Sequence, residues 1–418
     1  MSPTFSPHTS PQMQRTAPLS HPLLRGRQPS ETRPRGAIVI GGDHQGLGIV
    51  RSLGRQGIPV WVLDDERSIS VASRYATRCL PWPTKGDGIQ AQYLVDLAAQ
   101  HDLAGWAVFP TRDETVAMIA RNHPILSEWL TLTTPPWEVT RWAYDKRLTH
   151  ELAAEAGVDA PTTVIVDATS DLRQFEGRFP WIIKPAIKQD FYAHTHAKAW
   201  RVDDVNQLRA RYREASALIP ADQIMIQELI PGSGGAQFSF AALCNRGDVL
   251  ASLTARRARQ HPMDFGHAST YVETIEHPVV ELTARRLLQV MRYTGLVEVE
   301  MKHDSRDGKY KILDINARTW GWHTVGRRAG VDFPHLLWRM LQGEQLETIR
   351  GQAGVRWARL ATDLPTAAIE IARGRMSFVD YARSFRGPIE LSVLAPDDPL
   401  PALAELALLP YLAFKRGL

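Results

Sequence analysis

The sequence predicts an α/β protein with two or three domains. Its 418 residues, of which 44% are hydrophobic, are enough to build more than one core. A strand–helix–strand pattern begins at Gly36, a β-hairpin pattern lies between Leu296 and Ile315, and two helical stretches follow Gln345. These three observations place parallel β-structure first, a mixed α+β part second and a helical extension last.

The first 35 residues predict a disordered tail, because they contain seven prolines, five arginines and only one acid, Glu31. The two cysteines, Cys79 and Cys244, are isolated, which fits a reducing compartment and excludes a disulfide framework. No apolar run approaches the ~20 residues that span a bilayer, and no secretory signal is visible. We therefore expect a cytoplasmic protein without stable membrane insertion.

The net charge of +4 comes without a clustered basic and aromatic stripe, which gives no case for nucleic acid as a partner. The basic group ARRAR (255–259) fits small anions better, such as a nucleotide and an acidic substrate.

Residues 36–65 contain the strand AIVIGG, the helix DHQGLGIVRSLGRQG and the strand IPVWVLDDE. Such a βαβ unit predicts a Rossmann-like domain, to which we assign residues 36–140. A dinucleotide site is one alternative, since Asp64 ends the second strand where a ribose-binding acid would lie. The glycines at 41, 42, 46 and 48 lack the G-x-G-x-x-G spacing, however.

The hairpin pattern consists of Leu296–Lys302 and Tyr310–Ile315, joined by the turn-prone Asp304–Lys309. Symmetry about Asp307 would put Glu300 opposite Asp314.

Because side chains alternate along a strand, Asp314, Asn316 and Arg318 should share a face with Glu298 and Glu300. Opposed carboxylates repel, and a pair of Mg²⁺ ions would relieve that repulsion, since Mg²⁺ takes oxygen ligands. Arg318 beside them suggests a second anion, such as a phosphate. The alternative is a solvated hairpin whose charges pair with nearby Lys and Arg.

Two lysines and a strand end strengthen the phosphate interpretation. Lys184 ends the apolar strand WIIKP, and Lys146 follows Asp145, which has the position of a helix N-cap. The segment Ile224–Gly232 predicts a strand running into a Pro-Gly turn, whose backbone could pair with an adenine edge. Each feature is weak alone, but their order along the chain is specific.

With these motifs in that order, the chain resembles the ATP-grasp superfamily of carboxylate–amine ligases, most closely the branch of D-aspartate ligase-like enzymes. The resemblance runs from about Gly36 onwards and includes the phrases FPTRDE, DKRLTHELAAEAGV, IQELIPG and LDINARTWGWHTVGRRAGVDFPHLLWRML. It implies a two-lobed ATP-grasp domain over residues 141–345, with the small lobe at about 160–231, and a C-terminal extension over 346–418.

The resemblance also implies roles for individual residues. Lys146 and Lys184 would bind the phosphates of ATP, and Gln227, Glu228, Leu229 and Ile230 would form the adenine hinge, with Gln237 near the ribose. Glu300, Asp314 and Asn316 would hold Mg²⁺ or Mn²⁺. Arg318 would stabilise the phosphorylated intermediate. Arg256 is assigned as a further catalytic arginine, although Arg257 fits the same position of the motif.

Two regions are less defined. Relatives cover the phosphates with a Gly/Ser-rich loop, whereas residues 186–199 contain no glycine, so the roles of His194, His196 and Lys198 stay open. On the substrate side, Asp43, His44 and the turn Pro110–Glu114 would line the far side of the cleft. Arg112 is expected to anchor a carboxylate, with Asp113 and Glu114 beside it.

The resemblance implies an ATP- and Mg²⁺-dependent ligase that activates a small carboxylate, expected to be an amino acid, as an acyl phosphate. An amine then attacks, giving an amide, ADP and phosphate. The sequence contains no motif for a protein nucleophile, and this chemistry needs none. The alternatives are an ATP-binding phosphotransferase or regulatory protein on the same fold and an NAD-dependent oxidoreductase. A homodimer fits the pattern of the relatives.

Overall fold

The computed structural model describes residues 35–84, 86–166, 171–187, 191, 194–195, 197–232, 234–261, 263 and 268–416. Residues 1–34 of the predicted tail lie outside this part.

The chain begins with a five-stranded parallel sheet of order β3-β2-β1-β4-β5. Its strands are β1 (Ala37–Ile40), β2 (Val60–Asp64), β3 (Arg78–Pro81), β4 (Ala107–Pro110) and β5 (Thr131–Leu132). Its helices are α1 (His44–Gly54), α2 (Asp87–Gln100), α3 (Asp113–Arg121), α4 (His123–Ser127) and α5 (Trp137–Tyr144). The strand order reverses between β1 and β4, which opens a crevice at their carboxyl ends. The predicted Rossmann-like fold is confirmed.

A small antiparallel sheet of order β6-β9-β7-β8 follows α6 (Lys146–Glu155). Its elements are β6 (Thr163–Ile165), β7 (Trp181–Pro185), β8 (Trp200–Val202), α7 (Val205–Ser216) and β9 (Ile224–Glu228). This small lobe has a core of its own, in which Phe175, Trp181 and Ile226 pack together.

The third sheet, called the large sheet below, has the order β14-β13-β10-β11-β12-β16-β17, with β15 paired to β11. Its strands are β10 (Gln237–Asn245), β11 (Asp248–His261), β12 (Ala268–Ile275), β13 (Gly295–Asp304), β14 (Lys309–Asn316), β15 (Ile349–Arg350), β16 (Arg356–Ala358) and β17 (Ile389–Leu391). The helices are α8 (Pro278–Met291), α9 (Val325–Arg328), α10 (Phe333–Leu341), α11 (Leu360–Ala372), α12 (Phe378–Ser384) and α13 (Leu400–Arg416). The extension after residue 345 therefore adds three strands to this sheet as well as the predicted helices. Within the described residues, no helix combines the length and apolar character that crossing a bilayer requires.

The first domain and the large sheet share one hydrophobic core. Val39 and Val62 of the parallel sheet belong to the same buried cluster as Leu253, Trp320 and Trp322. Burial of this apolar surface joins the two parts firmly, since it contributes roughly 25 cal/mol per Å².

The C-terminal segment closes back onto the first domain through buried ion pairs. Arg51 on α1 donates to Asp398 at 2.9 Å, and both side chains are at most 5% exposed. Arg359 bridges Glu405 on α13, at 3.2 Å, and Asp43, at 3.4 Å. The last helix is thereby fixed against the loop that precedes α1.

Two glycines of the first turn are explained by packing. A Cβ on Gly46 would lie 2.0 Å from the Gly41 carbonyl oxygen, and one on Gly48 would lie 2.4 Å from His323 Nε2. Both positions need glycine because other residues of the protein lie too close to leave room for a Cβ, and this requirement does not involve a nucleotide. The dinucleotide alternative loses its main support.

Candidate active site

The hairpin of β13 and β14 forms the floor of the site. Glu300 lies opposite Asp314 and Glu298 lies opposite Asn316, which confirms the predicted register. A β-bulge after Glu300 then pairs Met301 with Ile312 and leaves Leu313 extra. Because of this extra residue, Ile312 packs in the core while Asp314 keeps the polar face.

A cavity of about 300 Å³ lies over this floor, between the first domain and the large sheet. It is lined by charged and polar side chains from all three parts of the chain. They include His44, Gln45, Asp113, Tyr144, Lys146, Lys198, Arg257, Glu298, Glu300, Asp314, Asn316 and Arg318.

Arg257 on β11 neutralises the two glutamates of the floor. Its guanidinium lies 2.5 Å from Glu300 and 3.2 Å from Glu298. Asn316 Nδ2 donates to both carboxylates, at 2.8 Å and 3.1 Å respectively. Burial works against ionisation of Glu300, but the Arg257 charge holds the pKa of Glu300 below its usual range. Burial and the Glu300 charge raise the pKa of Glu298.

Arg256, the arginine assigned as catalytic, lies on the opposite face of β11. It is exposed and pairs with Glu273 at 3.2 Å, away from the cavity. Side chains alternate along a strand, so only one of two adjacent arginines can face the floor. The structure corrects the expected position of Arg256, which does not line the cavity, and the catalytic role becomes a prediction for Arg257.

This correction gives a matched pair of variants. We expect Arg257→Met to reduce turnover by about 10²–10³, because it removes the buried cation that pairs with Glu298 and Glu300 at the floor of the cavity. Arg256→Met should retain turnover within a few-fold of the parent protein. A coupled assay of ADP release measures the turnover of both variants. A larger loss of turnover in Arg256→Met than in Arg257→Met would favour Arg256 as the catalytic arginine.

Lys146 reaches the floor from the start of α6. Asp145 caps this helix by accepting from the Arg147 backbone N–H, as predicted, and Lys146 Nζ donates to Asp314 at 2.7 Å. The Lys146 ammonium is thus held beside a candidate metal ligand. Burial opposes its charge, but the Asp314 carboxylate keeps the pKa of Lys146 raised.

Lys184 ends β7 and is only 8% exposed. Within the described part of the chain, no hydrogen bond or ion pair engages its ammonium. Burial and the nearby Lys146 charge lower the pKa of Lys184 to about 7. The Asp314 charge offsets these effects only in part. A buried ammonium beside another cation therefore favours binding of an anion.

The predicted hinge follows β9. The Gln227 side chain is buried and donates to Thr163 Oγ1 at 2.8 Å. The Glu228 carboxylate accepts from the Thr162 backbone and from Lys311, and the Ile230 carbonyl accepts from Lys302.

Leu229 follows β9 and is half-buried, and Gln237 begins β10 opposite Lys302. None of the four hinge residues, nor Gln237, lines the cavity over the hairpin. Their contact with a nucleotide base stays a prediction.

Arg318 joins the hairpin to the first domain. Its guanidinium donates to Asp113 at the start of α3 at 2.5 Å and to Asn316 Oδ1 at 3.3 Å. Asp113 and His44 both line the cavity from the crevice of the parallel sheet. Asp43 caps α1 immediately beside them, accepting from the His44 backbone N–H at 2.6 Å.

Arg112, predicted as the carboxylate anchor, lies elsewhere. It forms ion pairs with Asp64, at 2.7 Å, and with Asp65. It therefore faces the end of β2, outside the cavity over the hairpin. Glu114 is exposed on α3 and is also outside that lining. In this arrangement the anchor role of Arg112 and the substrate contact of Glu114 are not supported.

The region predicted as a phosphate-covering loop is only partly described, and His196 lies outside the described residues. Lys198 lines the cavity, and its charge contributes to the low pKa of Glu300. His194 does not belong to that lining.

The oxygen donors of Glu300, Asp314 and Asn316 fit a magnesium ion carried by a nucleotide. The described residues contain no group of three or more His, Cys, Asp or Glu that could hold a metal alone. Mg²⁺ commonly uses one or two carboxylates and completes its shell with water and substrate phosphates. Two facing carboxylates and one amide match that requirement.

Sequence reasoning named Glu298 on this face but did not assign it to the site. Glu298 is buried, and it accepts from Trp322 Nε1 at 3.0 Å as well as from Arg257 and Asn316. Its position two residues before Glu300 was the available signal. Trp322 carried no such signal.

Residues 221–362 match the family model described as an ATP-grasp in the biosynthetic pathway with the Ter operon. Among curated proteins, the D-aspartate ligase of Enterococcus faecium is 22% identical over 222 residues, covering 49% of this chain. The chain spans about half the length of that relative, namely 51%.

Solved structures share the fold over most of the chain. The L-amino acid ligase of Bacillus licheniformis has a TM-score of 0.59 at 17% identity, covering 76% of either chain. The N5-carboxyaminoimidazole synthetase of Staphylococcus aureus has a TM-score of 0.61 at 14% identity, covering 82% of this chain and 87% of that one.

The biotin carboxylase domain of the Hydrogenobacter thermophilus 2-oxoglutarate carboxylase, a complex with MgADP and bicarbonate, has a TM-score of 0.62 at 15% identity. It covers 78% of this chain and 74% of its own. At these identities the structural likeness establishes the fold. The predicted resemblance to the ATP-grasp superfamily, and to D-aspartate ligase within it, is confirmed.

Proposed function

We propose that this chain, which has the ATP-grasp fold, is a ligase that uses MgATP to join a small carboxylate to an amine. The carboxylate is activated as an acyl phosphate, and the products are an amide, ADP and phosphate. The two matched relatives that join amino acids by name, D-aspartate ligase and L-amino acid ligase, support an amino acid as the carboxylate.

One observation carries this proposal: side-chain cations that could bind phosphate and oxygen donors that could bind a metal ion line the same cavity. Lys146 and Lys198 line it together with Glu300, Asp314 and Asn316. Phosphoryl transfer depends mainly on positioning and on neutralising charge at the transferred group, and this lining supplies both.

The residues that line the cavity, together with Lys184 near Lys146, would have separate roles. Lys184 and Lys146 would hold the phosphates. Glu300, Asp314 and Asn316 would hold a magnesium ion, which would supply charge neutralisation for the transferred phosphoryl group. The substrate carboxylate would attack the γ-phosphorus, and ADP would leave. Arg318 would keep the resulting acyl phosphate in place and stabilise the oxyanion formed when the amine attacks.

A combined binding and trapping experiment tests the proposal. We expect MgATP, but not NAD(H), to raise the unfolding temperature, because a ligand that binds the native state stabilises it. Adding hydroxylamine with a panel of L- and D-amino acids should then yield a hydroxamate and an equal amount of ADP.

The outcomes separate the alternatives. Stabilisation by MgATP without any hydroxamate would favour a phosphotransferase or a regulatory nucleotide-binding protein. Stabilisation by NAD(H) alone would reject the ligase proposal altogether.

A further inference from the structure

We propose that His44 is the general base that removes a proton from the incoming amine. The Asp43–Arg359–Glu405 chain would position its ring. This inference rests on the proposed ligase function and deepens it, because it assigns the proton transfer from the amine to a residue outside the phosphate-binding set. An amine is an ammonium ion at neutral pH and must lose a proton before it can attack.

His44 lies in the crevice of the first domain and contributes to the cavity wall. It begins α1, is 8% exposed and lines the cavity together with Gln45. A helix N-terminus disfavours the imidazolium form, which keeps a histidine there neutral. A neutral imidazole can accept a proton.

The ring has one nitrogen towards a carboxylate and the other towards the cavity wall. His44 Nδ1 lies 3.3 Å from Asp43 Oδ1, although it makes no hydrogen bond with any described residue. A Cβ on Gly321 would lie 3.3 Å from His44 Nε2. With the proton on Nδ1, facing Asp43, Nε2 has a free lone pair. The nearby negative charge of Asp43 favours the tautomer with the proton on Nδ1, and a small rotation of the ring would let this proton bond the carboxylate.

Asp43 is itself held by residues from the end of the chain. Arg359 lies 3.4 Å from Asp43 and 3.2 Å from Glu405 on α13, and the Arg359 and Glu405 side chains are at most 10% exposed. Trp357 packs against the imidazole with a centroid distance of 6.2 Å. The C-terminal helix therefore contributes to the crevice although it does not line the cavity.

The charged groups around His44 are Asp43, Arg359, Glu405 and the neighbouring His323. Burial, followed by the Arg359 charge, lowers the pKa of His44 against the opposing effect of Asp43 and Glu405. His323 is buried, with a pKa lowered to about 4, so it adds no charge near neutral pH.

The base would stand close to the activated carbonyl. Gln45 donates to the Thr319 carbonyl at 3.3 Å, and His44 Nε2 faces Gly321. Both contacts fall within three residues of Arg318, the proposed holder of the acyl phosphate.

The step balances as follows. The ammonium gives one proton to His44 Nε2, and the nitrogen lone pair forms the C–N bond. The C–O bond to phosphate breaks, and the departing phosphate takes the second nitrogen proton. The products are the amide, hydrogen phosphate and His44 imidazolium, which returns its proton to solvent.

The test compares two nucleophiles on a His44→Gln variant. Hydroxylamine is largely unprotonated at neutral pH and needs no base. An amino acid amine, chosen as the fastest in a pairwise screen of ADP release, needs one. We expect the variant to lose about 10²–10⁴ in amide formation and to retain hydroxamate formation within a few-fold.

The pH profile gives a second readout. In the parent protein, kcat/KM for the amide should fall on the acidic side as His44 becomes protonated, and the variant should lack this limb. Glu405→Gln, which weakens the hold on Asp43 through Arg359, should move the limb without removing it. His101→Gln, an exposed histidine of the same domain, should change neither nucleophile's rate.

Equal loss of hydroxamate and amide in His44→Gln would overturn the assignment, because His44 would then serve activation or substrate binding. Equal retention of both would overturn it too. If the parent protein forms no hydroxamate with any carboxylate of the panel, the ligase proposal itself fails. That result is seen in the parent protein, so it can be told apart from both outcomes of the His44→Gln variant.

Discussion

A Lys184→Met variant is expected to lose ADP formation and yet to unfold at a higher temperature than the parent protein near neutral pH. Lys184 is buried beside Lys146 and forms no ion pair with a described residue, and the more distant Asp314 charge offsets the effect of burial only in part. Removing the proposed phosphate contact should cost about 10²–10³ in rate. Removing a buried, unpaired ammonium should relieve a desolvation penalty of the folded state.

The stability gain should depend on pH in a defined direction. Burial and the Lys146 charge lower the pKa of Lys184 from 10.5 to about 7 in the folded protein. Between these two values the unfolded chain binds more protons, so the parent protein gains stability as pH rises through this window. Below about 7 the penalty is fully present, and there the variant should differ most from the parent protein.

Unfolding temperatures measured from mildly acidic to alkaline pH, together with ADP release, check both parts. Lys309→Met removes an exposed lysine paired with Asp159 and should leave turnover unchanged. Normal turnover in Lys184→Met would contradict the proposed phosphate contact of Lys184. If the unfolding temperatures of the variant and the parent protein depended on pH in the same way, Lys184 would not carry the lowered pKa.

An Asp314→Asn variant should lose MgATP turnover by about 10²–10³ while binding metal-free ATP more tightly than the parent protein. Asp314 is a proposed metal ligand and also neutralises Lys146 at 2.7 Å. The amide substitution weakens the first role and frees the Lys146 charge for phosphate. Titration calorimetry with and without a chelator separates the two effects.

Asp307→Asn is the matched control on the same hairpin. Asp307 lies at the turn, where it pairs with Lys311 at 3.2 Å, and its loss should leave nucleotide binding unchanged. If Asp314→Asn weakened the binding of metal-free ATP as much as the binding of MgATP, Asp314 would stabilise the structure of the site rather than bind the metal ion.

Local patterns in the sequence predicted much of the fold. The βαβ opening, the Asp145 cap and the pairing of Glu300 with Asp314 depend on neighbours along the chain or across one turn. Such features follow from alternation, capping and turn chemistry, which the sequence displays directly.

Side-chain direction and long-range pairing could not be predicted in the same way. Choosing between Arg256 and Arg257 required knowing which face of β11 meets the hairpin. The partners of Arg112 come from β2, two strands away from β4 in the sheet, so no local pattern announces them. Asp113 meets Arg318 across 205 positions of sequence for the same reason.

The core shared by the first domain and the large sheet has a consequence for how ligands would enter and leave the cavity. Separating these two parts would expose buried tryptophans, including Trp320 and Trp322, whereas the small lobe keeps its apolar residues within its own cluster. Its described contacts with the remainder include polar ones, such as Arg147 with Asp222 and Lys302 with the Ile230 carbonyl. Nucleotide entry and product exit would thus depend on movement of the small lobe, which carries Lys184. The first domain and the large sheet would stay fixed relative to each other.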